Sequence, residues 1–289
     1  MKSRLLFIHT LSSLHPGTGQ SVGAIDLAIA REKSTGVPFL PGSSIKGVLR
    51  DTASDILQNG MLKKVFGPPP EQGDEHSGSV SFGDARVLFL PIRSLVGTFA
   101  YVTSPFLLQR AARDLQGANI QGNFPTNGPA NVNRCYTTDN SMLELRNKVI
   151  FEEMDFTLEK RPEVEAIAKI LGPKIFGEGG ERQLGQRLCI VHDDVMSFFF
   201  EQGTEVRARI RLQEATKVVA KGALWYEESL PAETLLLSFI TAFPPKHVGL
   251  TAQEVFKQIA ELIKTPLQFG GNATVGQGLC SLKIAGGTQ

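Results

Sequence analysis

The sequence predicts an α+β fold, and three observations predict it. Apolar residues recur in short stretches that switch between the two-residue period of a strand and the three-to-four-residue period of a helix, in the order β, α, β, β, α as far as Leu115. Stretches rich in glycine, asparagine and proline interrupt that order and read as insertions. One later strand alternates arginine with apolar residues and turns back as a hairpin. With 289 residues, 42% of them hydrophobic and 20% charged, the chain has material for a sizeable core in one large domain or two.

Residues 3–13 read as a first strand that enters a loop, because Gly17, Gly19, Gly23, Pro16 and several hydroxyls follow straight after the apolar run. Pro41-Gly42-Ser43-Ser44 signals a helix start, and Ile45, Val48, Leu49, Thr52 and Ile56 recur at helical spacing. The first helix is therefore expected from Ser43 or Ser44 to about Gln58, stopped by Asn59-Gly60. A turn-rich acidic stretch, 66–78, leads into a strand over 79–90 and a second over 95–103. Ser104-Pro105 then opens a helix through Leu115. Residues 116–133 show no periodicity, and a structureless loop longer than about 12 to 15 residues is functional or disordered.

A strand over 143–156, a helix from Arg161-Pro162 to Leu171 ended by Gly172-Pro173, a strand over 187–191 and a phenylalanine-rich helix over 193–202 follow. Residues 206–212 put Arg207, Arg209 and Arg211 on one strand face and Val206, Ala208, Ile210 and Leu212 on the other. A polar turn near 214–216 and a return through 217–221 lead to Trp225, Tyr226, Glu227 and Glu228. Residues 235–243 form a buried strand, Thr251-Ala252-Gln253-Glu254 is a capping box with Leu250 and Val255 as its staple, and the helix runs to about Lys264. A glycine-rich loop precedes a last strand over 279–284, and its Gly270, Gly271, Gly276 and Gly278 either let the backbone approach RNA closely or simply make a turn. The elements suit a ferredoxin-like or RRM-like sheet in a single domain, 1–289, with insertions at about 14–42, 116–142 and 207–224.

Residues 15–50 hold the densest set of groups that core packing does not need. Asp26 is the acid of an otherwise apolar frame, Ala24 to Ile29, where a carboxylate gains nothing from burial without a partner. A turn cap or a pair with Arg31 would also account for it, and His15 before Pro-Gly would serve equally as a loop residue. Helix amides at Ser43 and Ser44, their hydroxyls, and Lys46 and Arg50 one turn apart together make a sufficient phosphate site. The arginine strand beside Trp225 and Tyr226 has the composition of a single-stranded RNA surface, and equally that of an edge strand with a solvated basic face.

A net charge of +1 leaves any nucleic-acid contact to local patches. Cys135, Cys189 and Cys280 lie in no zinc or CxxC pattern and read as reduced thiols of a cytoplasmic protein. No signal peptide or membrane segment is expected, and neither GxGxxG nor GxxxxGK[ST] occurs.

The order HPGTG, AID, REK and LPGSSIKGVLRD, then VFGPP, SGSVSFGDARVLFLPIRSL, FAYVTSPFLLQR, GALWYEESLPAETL and GGNATVGQG, resembles the backbone RAMP subunit of the type III-B CRISPR effector, the Cmr complex, over nearly the whole chain. That resemblance implies a hand-like subunit with a palm sheet and a thumb, placed at about 207–221. Copies stack as a helical filament along a guide CRISPR RNA with the other Cmr subunits, and each cuts the paired target RNA at regular intervals. By resemblance Asp26 is the residue cleavage depends on, His15 and Glu227 assist, and a divalent metal, Mg²⁺, takes part, with Asp26 as base or ligand. Two rival readings remain: a guide-RNA scaffold that does not cut, and a small-molecule phosphate enzyme using the Ser43 helix terminus.

Overall fold

The computed structural model describes residues 1–19, 25–58, 60–69, 77–120, 124–213 and 219–286. From the N-terminus the described elements are β1 (Lys2–Thr10), β2 (Phe39–Leu40), α1 (Gly42–Ile56), α2 (Met61–Phe66), β3 (Val80–Phe82), β4 (Ala85–Arg93), β5 (Phe99–Thr103) and α3 (Pro105–Gly117). The middle of the chain gives β6 (Arg134–Thr137), β7 (Lys148–Phe151), β8 (Met154–Lys160), α4 (Pro162–Phe176), α5 (Gly180–Gly185), β9 (Leu188–Ile190) and α6 (Asp193–Gln202). The last are β10 (Glu205–Leu212), β11 (Val219–Ser229), β12 (Leu235–Ala242), α7 (Ala252–Leu262), β13 (Leu267–Gln268) and β14 (Leu279–Ala285).

β1 is apolar on both faces because it is covered on both. Leu6 and Ile8 join the core layer of α1 and α7, with Ile45, Leu49, Phe256 and Ile259, while Leu5 and Phe7 join the layer of α3 and α4. Around β1 the strands run β14-β1-β12-β4, each antiparallel to its neighbour. The chain enters this unit as β1-α1-β4 and leaves it as β12-α7-β14, so the crossover helices α1 and α7 share one face. Between β4 and β12 lies one long insertion, which extends the sheet through β5, β9, β6, β8 and β7. Two of those pairings, β5 with β9 and β6 with β8, are parallel, so the sheet is mixed. β10 and β11 leave it as a separate two-stranded hairpin.

Several sequence expectations need correction. α1 starts at Gly42, with Pro41 as its cap residue and neither serine capping it; the first amide is taken by Asp84 Oδ1 at 2.8 Å. The helix ends at Ile56, and its expected stop at Asn59 lies outside the described residues. The strand expected over 79–90 breaks at Gly83-Asp84 into β3 and β4, and the break is what carries Asp84 to the start of α1. β5 begins only at Phe99 because Gly97 and Thr98 adopt positive φ of 77° and 74° in a turn. The single strand expected over 143–156 is the hairpin β7–β8, turned at Glu152 with φ of 50°.

α4 does not stop at Gly172-Pro173 but runs on to Phe176. Gly172 serves a close crossing, since a Cβ there would sit 2.4 Å from the Gly180 carbonyl oxygen of α5. α3 continues through Gly117, and residues 134–137, inside the expected excursion 116–142, form β6 of the main sheet. The polar turn near 214–216 lies outside the described residues. The capping box of α7 forms as its sequence requires: Glu254 N–H donates to Thr251 Oγ1 at 3.2 Å and Thr251 N–H to Glu254 Oε2 at 2.7 Å. Among the described residues no helix is long and apolar enough to cross a membrane.

The loop between β1 and α1 is tied to α3 by Arg110, whose guanidinium donates to both oxygens of Glu32 at 2.5 and 2.6 Å. That bond pulls the Glu32 carboxyl from 4.5 down to about 2, against the upward push of burial. A depressed folded pKa gives stability that is present above 4.5 and lost as the pH falls toward 2. Discounted for solvent screening, Glu32→Gln should cost about 1 to 2 kcal/mol at neutral pH, and the gap to the parent should close on acidification when followed by chemical denaturation.

Candidate active site

Three loops leave the sheet at the same end, because β1 finishes where β12 and β14 begin: His9 lies opposite Leu235, and Thr10 opposite Cys280. They are the segment after β1, the end of the hairpin before β12, and the glycine loop before β14. Leu14 and Leu230 pair their backbones, both N–H···O distances being 2.8 Å, and this seals the first two loops together.

The chain after His15 then runs alongside β11. Leu27 N–H donates to Tyr226 O at 3.0 Å and Glu228 N–H to Leu27 O at 2.9 Å, as a short parallel bridge. This sets Asp26 beside Tyr226, whose N–H donates to Asp26 Oδ2 at 2.8 Å. Asp26 is exposed, so one amide orients its carboxylate while solvent still reaches it. The alternative pairing with Arg31 does not form, because Arg31 donates to Glu228 Oε1 at 2.5 Å.

His15 is 7% exposed. Its Nδ1–H donates to the Glu228 carbonyl at 2.5 Å, which fixes the ring with Nε2 on its far side. Gly17 packs directly against Nε2, since a Cβ there would lie 2.5 Å from it. From the other side Gly271 N–H donates to the His15 carbonyl at 2.9 Å, and Gly270, with φ of 72°, would put a Cβ 2.4 Å from that oxygen. Gly17, Gly270 and Gly271 are therefore spent on closing around His15, Gly278 packs on Phe269, and Gly19 and Gly276, with φ of 71° and 81°, face open space.

Glu227 is buried, and its two oxygens take three donors: Trp225 Nε1 at 2.8 Å, Asn272 Nδ2 at 2.8 Å and Arg209 Nε at 3.1 Å. Burial pushes its carboxyl up, but the bonds from Trp225 and Arg209, with the charges of Arg209 and His15, outweigh it, so its pKa lies below the ordinary carboxylate value. Glu227 is thus an ionised, fully engaged group that orients its neighbours and has no proton to give.

The hairpin register places Arg207 opposite Glu227 and Arg209 opposite Trp225, so these four share a face. The three arginines do not form a uniform row. Arg209 turns in to Glu227, Arg207 pairs with Glu205 at 2.5 Å, and Arg211 is exposed. Tyr226 lies on the opposite face, among exposed Val206, Ile210 and Leu224. At α1, Ser43 and Lys46 line a shallow cleft of about 360 Å³ with Ser81 and Phe243, whereas Arg50 donates to the Pro68 carbonyl at 3.3 Å. With Asp84 on the Gly42 amide, the helix terminus already carries an anion. Ser44 is half-buried within the helix.

Among the described residues no three His, Cys, Asp or Glu side chains gather as a metal site, and Asp26 is one exposed carboxylate. That donor set does not fit a protein-built Mg²⁺ site. Cavities of about 980 Å³ beside α4 and α5 and about 790 Å³ beside β4 and α6 hold none of the expected site residues.

The pattern of the RAMP superfamily matches residues 7–281. A curated relative, the CRISPR system Cmr endoribonuclease Cmr4 of Pyrococcus furiosus, is 37% identical over 98% of this chain and 96% of its own. The chain belongs to the RAMP superfamily, in its Cmr4 family. The crystal structure of oligomeric Cmr4 from Pyrococcus furiosus superposes with a TM-score of 0.78 at 32% identity, covering 100% of both chains. A chain of the type III-B Cmr-beta complex bound to cognate target RNA shares the fold, with a TM-score of 0.76 at 22% identity over 98% of this chain and 97% of that one.

In this Cmr4-family chain the site residues that the sequence did not single out are Glu228, Asn272 and Gln277. Glu228 is 3% exposed and takes Ile29 N–H at 3.1 Å, Arg31 and, at 2.9 Å, Thr204 Oγ1. Adjacent acids on a strand point to opposite faces, so the Glu227-Glu228 pair already signalled two separate jobs. Glu228 is the anchor that holds the Asp26 segment to β11. Glu228→Ala should cost about 3 kcal/mol, by leaving Arg31 and a buried amide without their acceptor. It should also speed amide exchange over residues 25–31, and unchanged denaturation and exchange would show the anchor to be idle.

Proposed function

We propose that this chain is the endoribonuclease subunit of a type III-B Cmr complex, holding guide CRISPR RNA and cleaving the paired target RNA at regular intervals. The observation that carries this is convergence. Asp26, His15 and Glu227, the residues singled out by the resemblance, meet on residues 226–228 of β11 through the Tyr226 amide, the Glu228 carbonyl and Glu227 itself. Strand residues advance by about 3.3 Å each, so the anchors at 226 and 228 lie roughly 7 Å apart along β11, a span of the order of one nucleotide.

Cleavage then needs only groups of the chain and of the RNA. Asp26 takes the proton of a target 2′ hydroxyl, whose oxygen attacks the adjacent phosphorus. The bond from phosphorus to the 5′ oxygen breaks, and protonated His15 delivers a proton from Nε2 to that oxygen. The products are a 2′,3′-cyclic phosphate and a 5′ hydroxyl. Glu227, ionised and held by three donors, sets a fixed negative charge near His15. The Mg²⁺ that the resemblance implies would find Asp26 as its one exposed carboxylate, and no step here runs through it.

In this reading β14-β1-β12-β4 with α1 and α7 is the ferredoxin-like palm, and β10–β11 is the thumb that opens the target backbone. Copies stack along the guide beside the other Cmr subunits in the cytoplasm, with Ser43 and Lys46 on guide phosphates and Arg207 and Arg211 on RNA near the thumb. A scaffold that does not cut has no use for a solvent-reached Asp26 oriented by an amide, and this feature favours the nuclease.

In the assembled complex, Asp26→Asn should lower target cleavage by roughly 10² to 10⁴-fold with assembly and target binding intact. Undiminished cleavage would leave the chain a scaffold. Lys46→Ala should weaken guide binding and reduce the slope of log affinity against log salt by about 0.7, and an unchanged slope would remove Lys46 from the guide path.

A further inference from the structure

Residues 269–278 touch two of the site groups at once. Gly271 lies against the His15 ring and donates its N–H to the His15 carbonyl. The next residue, Asn272, donates from Nδ2 to Glu227 Oε2 at 2.8 Å and to Gln277 Oε1 at 3.0 Å. Its backbone is left-handed, with φ of 64° and ψ of 29°, a conformation that asparagine holds more readily than other residues with a side chain. The Asn272 carbonyl accepts from Val275 N–H at 3.1 Å and Gln277 N–H at 3.3 Å, and Gln277 is 4% exposed, so the side chain projects from a braced turn. Of the three donors on Glu227, Trp225 and Arg209 belong to the hairpin itself. Asn272 alone of the three comes from the loop that also holds His15.

We propose that Asn272 is a positioning residue for RNA cleavage, locking the Glu227 carboxylate in register with His15 so that hairpin motion does not separate the two. This rests on the active site proposed above. Without the amide, Glu227 is held only by hairpin residues and follows them. His15 then loses its fixed negative neighbour.

The test is single-turnover cleavage by the assembled guide complex carrying Asn272→Gly, which keeps the left-handed turn and removes the amide, and Asn272→Asp, which keeps the size and replaces the donor with an acceptor. A lost bond to a charged group predicts a fall in the cleavage rate of at least roughly tenfold in each. Guide binding, target affinity and assembly stay at parental values, so the loss falls on the chemical step alone, and Asn272→Gln assembled in parallel marks how much a longer amide restores. A parental rate in both Asn272→Gly and Asn272→Asp overturns the inference. So does a loss confined to assembly or target affinity, or failure of both variants to assemble, either of which would make Asn272 a structural residue. Asp26→Asn is run beside them: if it cleaves normally, the active-site assignment itself has failed, whereas an inactive Asp26→Asn with parental Asn272 variants refutes only the role of Asn272.

Discussion

The buried carboxylate of Glu228 is the constraint on which the site depends. It is almost out of solvent, and it is satisfied there by a backbone amide from Ile29, the guanidinium of Arg31 and the hydroxyl of Thr204. A buried charge satisfied this way has few alternatives, because moving any partner leaves an ion unpaired in a medium that solvates it poorly. The segment carrying Asp26 is thereby fixed to β11 with its neighbour exposed. Stability and reactivity are divided between two adjacent acids, Glu228 inward and Glu227 toward His15.

Topology explains why residues so far apart in sequence meet. In an antiparallel sheet, the end of one strand lies beside the starts of its neighbours, so the loops out of β1 and into β12 and β14 must share an edge. The long insertion between β4 and β12 delivers the hairpin to that same edge. Gly17, Gly270 and Gly271 then do a packing job, letting two loops close on His15 from both sides.

Local signals were legible where a local bond decides the structure. The α7 capping box, the phenylalanine-rich α6 and the alternation of β10 all stand as their residues indicate. Signals failed where a distant partner outweighed a local preference. Gly172-Pro173 reads as a helix stop, yet α4 passes through it because α5 crosses at Gly172 and rewards the missing side chain. Ser43-Ser44 reads as a cap, yet Asp84 takes the first amide of α1 from another strand. The arginine row looks uniform along the chain, but only Arg209 meets an acid across the hairpin that turns it inward.

The sequence by itself determined the α+β class and most of the elements, since these follow from periodicity and local capping, and the resemblance its motifs carry named Asp26, His15 and Glu227 as candidates. Only the tertiary structure decided that Asp26, His15 and Glu227 share residues 226–228 of β11, that Glu228 and Asn272 hold them, and that Arg50 and the α1 terminus are already engaged. The physical reason is range. A hydrogen bond across about 200 residues, such as that from Tyr226 to Asp26, leaves no periodic trace in the chain, because its geometry is set by which strands are neighbours in the sheet.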